Sequence, residues 1–285
     1  MVPLSYLRPE TLEAALDHLD RHGSATQILA GGTDLVVDLR SGGVRPAFIL
    51  DVSRLQELKG IELTPQGLSV GAGVTLAEIQ ASNILQQHAP ALRKCADTFA
   101  SRQIRNVATI GGNVAHCSPC GDTVPPLVIH EAQAVLAAQK GMRHVPVEQI
   151  ASGPYACSLP AGEIILRFIL KPADAITFCD FQKIGRRREL AIARINAAAM
   201  ARQEPDGRIS FLRFSLGSCT PTPHRMPEVE DHLIGRRPTP ELIWEAGRIL
   251  AERTLAITGR RPSIVYKESA IQGLFVRMLT PLVKG

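Results

Sequence analysis

Two short glycine-paired segments constrain this chain more than any other feature. Residues 30–34 read Ala-Gly-Gly-Thr-Asp, and residues 109–113 read Thr-Ile-Gly-Gly-Asn. Glycine has no Cβ and adopts positive φ readily, so the backbone at these points can approach a ligand closely. Successive N–H groups in such turns form a nest that binds anions. One Gly-Gly pair is usually only a turn, but two with hydroxyl and amide neighbours predict a cradle for a phosphorylated cofactor.

The length and composition are typical of a globular protein with two or three subdomains. The chain has 285 residues, of which 45% are hydrophobic and 21% charged. Aromatic residues make up only 4%, which argues against the stacking platforms that bind single-stranded nucleic acid. The net charge is +5, and the basic residues are scattered except at 186–188. That arginine run is usually a solvated turn; the other interpretation is a surface for a nicotinamide nucleotide or a partner subunit.

The sequence predicts a cytoplasmic protein. No apolar run reaches the roughly 20 residues that a membrane-spanning helix needs. The first residues turn polar and acidic at once, which is unlike a secretory signal. The cysteines are sparse and irregularly spaced, so we expect reduced thiols rather than a disulfide framework. They are Cys95, Cys117, Cys120, Cys157, Cys179 and Cys219.

The order of predicted elements divides the chain near residue 172. Before that point, short strands and helices alternate, and the first Gly-Gly pair lies between a strand at 27–29 and a helix. The second Gly-Gly pair is expected to follow a short strand at 107–110, with a structured loop over 114–126. After residue 172, three long strands are followed by three helices, which predicts an α+β module. The expected strands are 177–184, 195–202 and 209–217.

Several motifs resemble one family. Residues 29–35 and 103–113 resemble the two FAD-binding motifs of the flavoprotein subunit of molybdenum hydroxylases, the family of xanthine dehydrogenase and carbon monoxide dehydrogenase. The segments 118–126, 163–166 and 181–186 also match, in order and over the whole chain. The resemblance implies an α+β protein with a vanillyl-alcohol-oxidase-type FAD-binding fold of two α/β subdomains. A C-terminal flavoprotein domain with a three-stranded antiparallel sheet and helices would follow.

The resemblance also implies domain limits. Residues 1–172 would form the FAD-binding domain, with a small lobe at 1–55 and a larger lobe at 56–172. Residues 173–285 would form the C-terminal domain.

The same resemblance implies which residues bind FAD. Two sets would bind the cofactor: Leu29, Ala30, Gly31, Gly32, Thr33, Asp34 and Leu35 in the first segment, and Thr109, Ile110, Gly111, Gly112 and Asn113 in the second. Within them, residues 30–34 and 109–113 would hold the diphosphate. Phe99 and Ala108 would lie against the flavin, Asp122 near the ribose and Leu166 on the adenine. Lys183 would reach the isoalloxazine edge, unless the alignment shifts by one residue and Gln182 takes that role. The hydroxyls of Thr33 and Thr109 would either shape the loops or contact phosphate.

The family implies an electron-transfer subunit. A large partner subunit would carry the molybdenum cofactor, a small one would carry two [2Fe–2S] clusters, and NAD⁺, O₂ or a quinone would be the final acceptor. No residue of this chain is predicted to be catalytic in the hydroxylation. One alternative is a free-standing flavin oxidoreductase with its own substrate, and another is an assembly module that has lost FAD.

Cys117-x-x-Cys120 has the spacing of metal ligands. Some relatives of the 4-hydroxybenzoyl-CoA reductase type carry an additional iron–sulfur cluster in an inserted loop of this subunit. This chain has no such insertion and no second close cysteine pair to complete four ligands. We therefore predict no metal site, and interpret these cysteines as small side chains of the flavin loop. The neighbouring His116 is either a loop residue or a base.

Overall fold

The computed structural model describes residues 4–187, 190–259 and 264–283. Arg188, the last residue of the arginine run, lies outside the described residues. None of the described helices is both long and apolar enough to cross a membrane.

The first lobe is a three-stranded parallel sheet with two helices. The strand order is β1-β3-β2, so the second strand along the chain lies at an edge. Helix α1 starts at the cap Thr11 and buries Ala15 and Leu19, which lie four residues apart on one helical face. The elements are β1 (Ser5–Leu7), α1 (Leu12–His22), β2 (Thr26–Leu29), α2 (Leu35–Ser41) and β3 (Phe48–Asp51).

The second lobe is built on a five-stranded antiparallel sheet in the order β4-β5-β10-β6-β7. Its strands and hairpin are β4 (Ile61–Thr64), β5 (Gly67–Gly71), β6 (Gln133–Ala138), β7 (Gly141–Pro146), β8 (Ala151–Gly153), β9 (Ala156–Cys157) and β10 (Ile164–Leu170). Its helices are α3 (Leu76–Ala81), α4 (Asn83–His88), α5 (Pro90–Asp97), α6 (Arg102–Arg105), α7 (Ile110–Ala115) and α8 (Val124–Ile129). Strands β8 and β9 form a separate two-stranded hairpin.

The C-terminal domain is a four-stranded antiparallel sheet in the order β11-β12-β13-β14, followed by three helices. The three long strands predicted from the sequence are present. The fourth strand was missed because two residues carry no detectable periodicity. The elements are β11 (Phe178–Ile184), β12 (Ile195–Gln203), β13 (Ile209–Gly217), β14 (His224–Arg225), α9 (Pro227–Leu233), α10 (Pro240–Thr258) and α11 (Ile264–Leu279).

Strand β12 lies between two apolar cores. Ala198 and Met200 pack into the core of the second lobe, whereas Ala197, Ala199 and Ala201 pack into the core under α9, α10 and α11. This alternation follows from the two-residue period of a strand. The C-terminal helices therefore cover one face of the sheet, and the second lobe, through α5 and α8, covers the other.

The segment around the second Gly-Gly pair differs from the prediction. A strand was expected at 107–110, but the only β pairing there is an isolated bridge between Thr109 and Thr75. The glycines lie inside α7, and part of the expected loop at 114–126 is helix α8. Paired glycines and prolines usually break helices. Here Thr109 caps α7, and Pro125 and Pro126 occupy the first turn of α8, where proline is tolerated.

Acid should destabilise this fold through His130, at the end of α8. Its imidazole is buried, contacts the Lys171 carbonyl oxygen through Nδ1 (2.7 Å), and has its pKa lowered by burial from 6.5 to about 4. Above pH 6.5 the ring is neutral in the folded and the unfolded chain. As the pH falls from 6.5 towards 4, the unfolded chain binds a proton that the folded chain excludes. The free energy of unfolding should therefore fall by up to about 1.4 kcal/mol per pH unit.

Urea denaturation at a series of pH values measures this slope. His130→Gln should remove its share of the slope, while His144→Gln, at an exposed position of β7, should not. An equal slope in the wild type and in His130→Gln would contradict the prediction.

Candidate functional site

One large cleft of about 890 Å³ brings the two Gly-Gly segments together. The first segment contributes residues 30–35, and the second contributes 106–109 together with most of α7. Tyr155 and Cys157 of the β8–β9 hairpin border it, as do Ile164 and Ile165 at the start of β10. The cleft is therefore built by both lobes of the N-terminal region.

Gly31 allows the two segments to touch. A Cβ built at this position would lie 2.0 Å from the Val107 carbonyl oxygen and 3.0 Å from the Ala108 Cα. Such contacts are far inside van der Waals distance, so no other residue fits without moving one of the backbones. The next residue, Gly32, has a φ of +69°, which turns the chain into α2. Gly31 is thus required for the close approach of two backbones, and Gly32 is required for its positive φ.

The first segment presents unpaired backbone donors. Within the described part of the chain, the N–H groups of residues 31–34 have no protein acceptor. All four residues line the cleft and directly precede helix α2. Successive free N–H groups form a nest that accepts the oxygens of a phosphate or a carboxylate. This geometry fits the diphosphate of a dinucleotide.

Four of the five backbone donors of the second segment, those of residues 110–113, are already used. The Ile110 N–H donates to the Val74 carbonyl (3.0 Å), and the Gly111 N–H donates to the Ala72 carbonyl (2.8 Å). The Gly112 N–H donates to the Thr109 hydroxyl oxygen (3.1 Å). A Cβ on Gly111 would lie 2.7 Å from the Ala72 carbonyl oxygen, so this glycine is needed for close backbone packing. The two segments look alike in sequence, yet only the first is a nest of free amides.

Side chains supply the remaining donors. The side-chain oxygen Oδ1 of Asn113 accepts a hydrogen bond from the Thr123 hydroxyl (2.6 Å), which orients the side-chain amide. The NH₂ group of this amide has no protein acceptor among the described residues. Lys59 donates to the Gly73 carbonyl (2.9 Å). Of the described residues that line the cleft, it alone has a Lys or Arg side chain. Lys59 was not predicted as a site residue, because an isolated lysine carries no motif.

Most of the predicted site residues lie in the cleft. The lining includes Ala30, Gly31, Gly32, Thr33, Asp34, Leu35, Phe99, Ala108, Thr109, Gly111, Gly112 and Asn113. The lining does not include Leu29, Ile110, Asp122, Leu166 or Lys183. Leu166 belongs to the apolar core together with Ile164 and Ile165, and of these three residues only the two isoleucines also line the cleft.

Asp122 and Lys183 bind each other. Their side chains are 6% and 8% exposed, and Lys183 Nζ lies 2.5 Å from a carboxylate oxygen of Asp122. Asn196 donates to the other carboxylate oxygen (2.7 Å), and Lys183 also donates to the Thr98 carbonyl (3.2 Å). Burial raises the pKa of Asp122, and Lys183 and Asn196 oppose that rise. Together with Asn196, the pair connects β11 and β12 to the loop before α8, next to Phe99.

Gln182, the alternative to Lys183 in the sequence prediction, hydrogen-bonds to Asp180 and Arg277.

One wall of the cleft was not predicted. His116 and Tyr155 stack edge to face with ring centroids 5.3 Å apart, and His116 Nδ1 lies 3.9 Å from an Asp34 carboxylate oxygen. Tyr155 has a φ of +58° at the tip of the β8–β9 hairpin. Nothing in residues 151–157 resembles a motif, so only the fold brings this hairpin to the cleft. The described residues contain no cluster of His, Cys, Asp or Glu suited to a metal ion.

Two family comparisons cover nearly the whole chain. Residues 2–172 match the family described as the FAD binding domain in molybdopterin dehydrogenase. Residues 180–282 match the carbon monoxide dehydrogenase flavoprotein C-terminal domain. Together with the cleft, these matches define a flavoprotein subunit of an oxidoreductase. The chain belongs to the FAD-binding subunits of the xanthine dehydrogenase and carbon monoxide dehydrogenase family.

Similar proteins have the same overall length. The nicotinate dehydrogenase FAD-subunit of Eubacterium barkeri is 29% identical over 99% of this chain and 97% of its own length. The xanthine dehydrogenase FAD-binding subunit of Escherichia coli O157:H7 is 35% identical over 79% of this chain and 77% of its own. These relatives confirm the family that the sequence motifs indicated.

Solved structures confirm the fold. A chain of carbon monoxide dehydrogenase from Hydrogenophaga pseudoflava superimposes with a TM-score of 0.90 at 27% identity, covering 98% of this chain and 97% of that one. A chain of quinoline 2-oxidoreductase from Pseudomonas putida 86 gives a TM-score of 0.90 at 25% identity, covering 98% and 96%. The expected FAD-binding domain followed by a flavoprotein C-terminal domain is therefore correct.

Gly31→Ala should destabilise the protein. Its Cβ would collide with the Val107 backbone, so the two segments must separate, at a cost of about 1–3 kcal/mol. Gly273→Ala is a matched control, because its Cβ meets nothing within 4 Å and its helix favours alanine. Chemical denaturation should show a loss for Gly31→Ala and no loss for Gly273→Ala. Equal stabilities would show that the close approach is not required.

Lys183→Met should lower the free energy of unfolding by about 3–5 kcal/mol, because it leaves the buried Asp122 carboxylate unpaired. The double variant Asp122→Asn/Lys183→Met should recover most of this loss, since no buried charge is left alone. Arg248→Met, in an exposed pair with Glu252, should cost less than about 1 kcal/mol. Denaturant titration of the three variants measures these free energies, and a double variant as unstable as Lys183→Met would argue against the pair.

Proposed function

We propose that the cleft between the Gly-Gly segments binds FAD. The observation that carries this proposal is the row of four unpaired N–H groups at residues 31–34, at the start of a helix and inside the cleft. A diphosphate needs close backbone approach and several donors, and both are available there. When bound, FAD supplies redox chemistry, while the protein supplies binding, orientation and electrostatics.

Each predicted residue has a proposed role. The N–H groups of residues 31–34, the hydroxyls of Thr33 and Thr109, and the Asn113 amide would hold the diphosphate. Phe99 and Ala108 would face the flavin. Leu29 and Ile110 would support the two segments from behind, and Leu35 would contact the cofactor from the cleft wall. Leu166 would pack on the adenine, as predicted from the sequence.

The Asp122–Lys183 pair has a supporting role in this proposal. It would hold the C-terminal sheet beside Phe99, near the ribose and the isoalloxazine edge.

We propose that the chain works within a multi-subunit molybdenum hydroxylase. It would take electrons from [2Fe–2S] clusters of a small subunit and deliver them to NAD⁺, O₂ or a quinone. The molybdenum cofactor and the organic substrate would belong to a large subunit. The names of the relatives, which mention nicotinate, xanthine and carbon monoxide, support the idea that the substrate is chosen elsewhere.

We also propose the domain limits and the location given by the sequence. The FAD-binding domain would span 1–172, with lobes at 1–55 and 56–172, and the C-terminal domain would span 173–285. The ranges of the two family matches support a boundary near residue 172. A cytoplasmic location is supported by the six free thiols.

Two measurements test this function. The purified full-length chain should bind one FAD, measured by absorbance and by quenching of flavin fluorescence. A tagged chain isolated from its own cells should bring molybdenum and iron with it. A chain that never binds flavin would overturn the FAD proposal, and a chain that binds flavin but always purifies alone, without metals, would overturn the complex.

Lys59→Met should weaken FAD binding about tenfold. Lys59 supplies the one Lys or Arg side chain among the described lining residues, and its Nζ lies beside Gly73, close to the second segment. Charge-assisted hydrogen bonds contribute about 1.5–3 kcal/mol, and about 1.4 kcal/mol corresponds to tenfold in affinity. Titration with FAD, ADP and riboflavin should show losses for the first two only, because riboflavin has no phosphate.

Lys140→Met serves as the matched control, since Lys140 is exposed at the β6–β7 turn. It should leave all three affinities unchanged. A uniform loss across FAD, ADP and riboflavin in Lys59→Met would mean that Lys59 acts only by holding the Gly73 backbone.

A further inference from the structure

The turn between α5 and α6 brings Phe99 to the cleft. Thr98 is the residue at which α5 ends, and α6 begins at Arg102. The Phe99 side chain packs against the core of the second lobe and also lines the cleft. The next residue, Ala100, has a φ of +39°, in the left-handed region where a Cβ is strained. The turn therefore depends on contacts that hold it in this shape.

Two cationic side chains hold three successive carbonyl groups of this turn. Lys183 Nζ donates to the Thr98 carbonyl (3.2 Å). Arg105 Nη1 donates to the carbonyls of Phe99 (2.8 Å) and Ala100 (3.3 Å). The carbonyl end of a helix carries partial negative charge, so cations are favourable where α5 ends. Because Lys183 belongs to β11 and Arg105 to α6, the turn is tied to the C-terminal domain and to the second lobe at once.

These hydrogen bonds set the direction of the Phe99 side chain. A peptide group is planar, so a carbonyl that is held in place fixes the whole plane to which it belongs. The planes that contain the carbonyls of Thr98 and Phe99 meet at the Phe99 Cα, and together they define its φ and ψ. The direction of the Cα–Cβ bond follows from these two angles. The planes on either side of Ala100 are held in the same way by Arg105 alone.

Arg105 holds the turn from outside the cleft. Its side chain is not among the described residues that line the cleft, whereas Phe99 is. Its Nε is buried and has no hydrogen-bond partner in the described part of the chain. A buried N–H without an acceptor is destabilising, and the two hydrogen bonds to the turn offset that loss. The guanidinium therefore reaches the cleft through Phe99.

We propose that Arg105 is a positioning residue for the flavin half of the cleft. By holding the carbonyls of residues 99 and 100, it keeps Phe99 turned towards the isoalloxazine ring and keeps Ala100 in its strained conformation. This proposal rests on the proposed function, in which Phe99 faces the flavin. The free N–H groups at residues 31–34 make no contact with Arg105, so the diphosphate half of the cleft does not depend on it.

Ligand titration of the full-length chain tests the proposal. Arg105→Met should weaken binding of FAD and of riboflavin about tenfold, through the loss of charge-assisted hydrogen bonds. It should leave the affinity for ADP unchanged, because ADP has the diphosphate but no flavin. The visible circular dichroism of bound FAD should also change, which a purely structural role would not produce. Arg102→Met, which removes an exposed arginine from the same helix, is the matched control and should change none of these values.

A second variant tests the strain at Ala100. In the double variant Ala100→Gly/Arg105→Met, the flavin affinities should recover part of the loss, since glycine adopts a φ of +39° without strain. Equal losses for FAD, riboflavin and ADP in Arg105→Met, unchanged affinities for all three, or a double variant that binds flavin no better than Arg105→Met would overturn the proposal.

Hydrogen exchange without any ligand separates this inference from the proposed function. In Arg105→Met, the amides of residues 98–101 should exchange faster than in the wild type, and in Arg102→Met they should not. Unchanged exchange in Arg105→Met would show that Arg105 does not hold the turn. A wild-type chain that binds no flavin, combined with faster exchange in Arg105→Met, would refute the proposed function and leave the hold on Phe99 intact.

Discussion

The contact between Gly31 and the Val107 backbone is the constraint on which the rest of the site depends. The two Gly-Gly segments belong to different lobes, and the cleft is lined by residues of both. Their backbones meet because residue 31 has no side chain. Once the segments are in contact, the amides of residues 31–34 face one cleft together with Thr109 and Asn113. The geometry of a binding site therefore depends on a single missing Cβ.

The C-terminal domain is coupled to this arrangement electrostatically as well as by packing. Glu131, at the end of α8 with a φ of +47°, forms ion pairs with Lys171, Arg213 and Arg225. The last two belong to the C-terminal sheet. The Asp122–Lys183 pair crosses the same boundary closer to the cleft. Both ends of α8 are thus tied to the sheet on which the helix packs.

Much of the fold could be predicted because it depends on local sequence patterns. The strands of the C-terminal domain have long apolar runs separated by clear turn signals, and the motifs at 29–35 and 103–113 indicated the family. The prediction of a strand at 107–110 followed by a glycine turn was wrong, because residues 110–115 form helix α7. Its glycines favour a turn, and the helix is stabilised by the Thr109 cap and by packing against Ala72, which lies far away in the sequence.

The residues predicted from backbone features mostly lie in the cleft, whereas several of those predicted for their side chains lie outside it. Glycines mark places of close approach, so most of residues 30–35 and 108–113 lie in the cleft. Lys59, Tyr155 and Cys157 have no local signal, because their role arises only from tertiary structure. Asp122 and Lys183 satisfy each other's charge inside the protein, and no pattern in the sequence reveals that they are paired.

Strand β12 also limits which amino-acid substitutions the chain can tolerate. Strands of antiparallel sheets commonly have one solvated face, where substitutions cost little. Ala197 to Ala201 have no such face, because every second side chain enters a different core. A larger residue at any of these positions would push two domains apart or lift the helices from the sheet. Substitutions at these strand positions must therefore keep close to the present side-chain volumes, a constraint that the turns and the outer helical surfaces do not share.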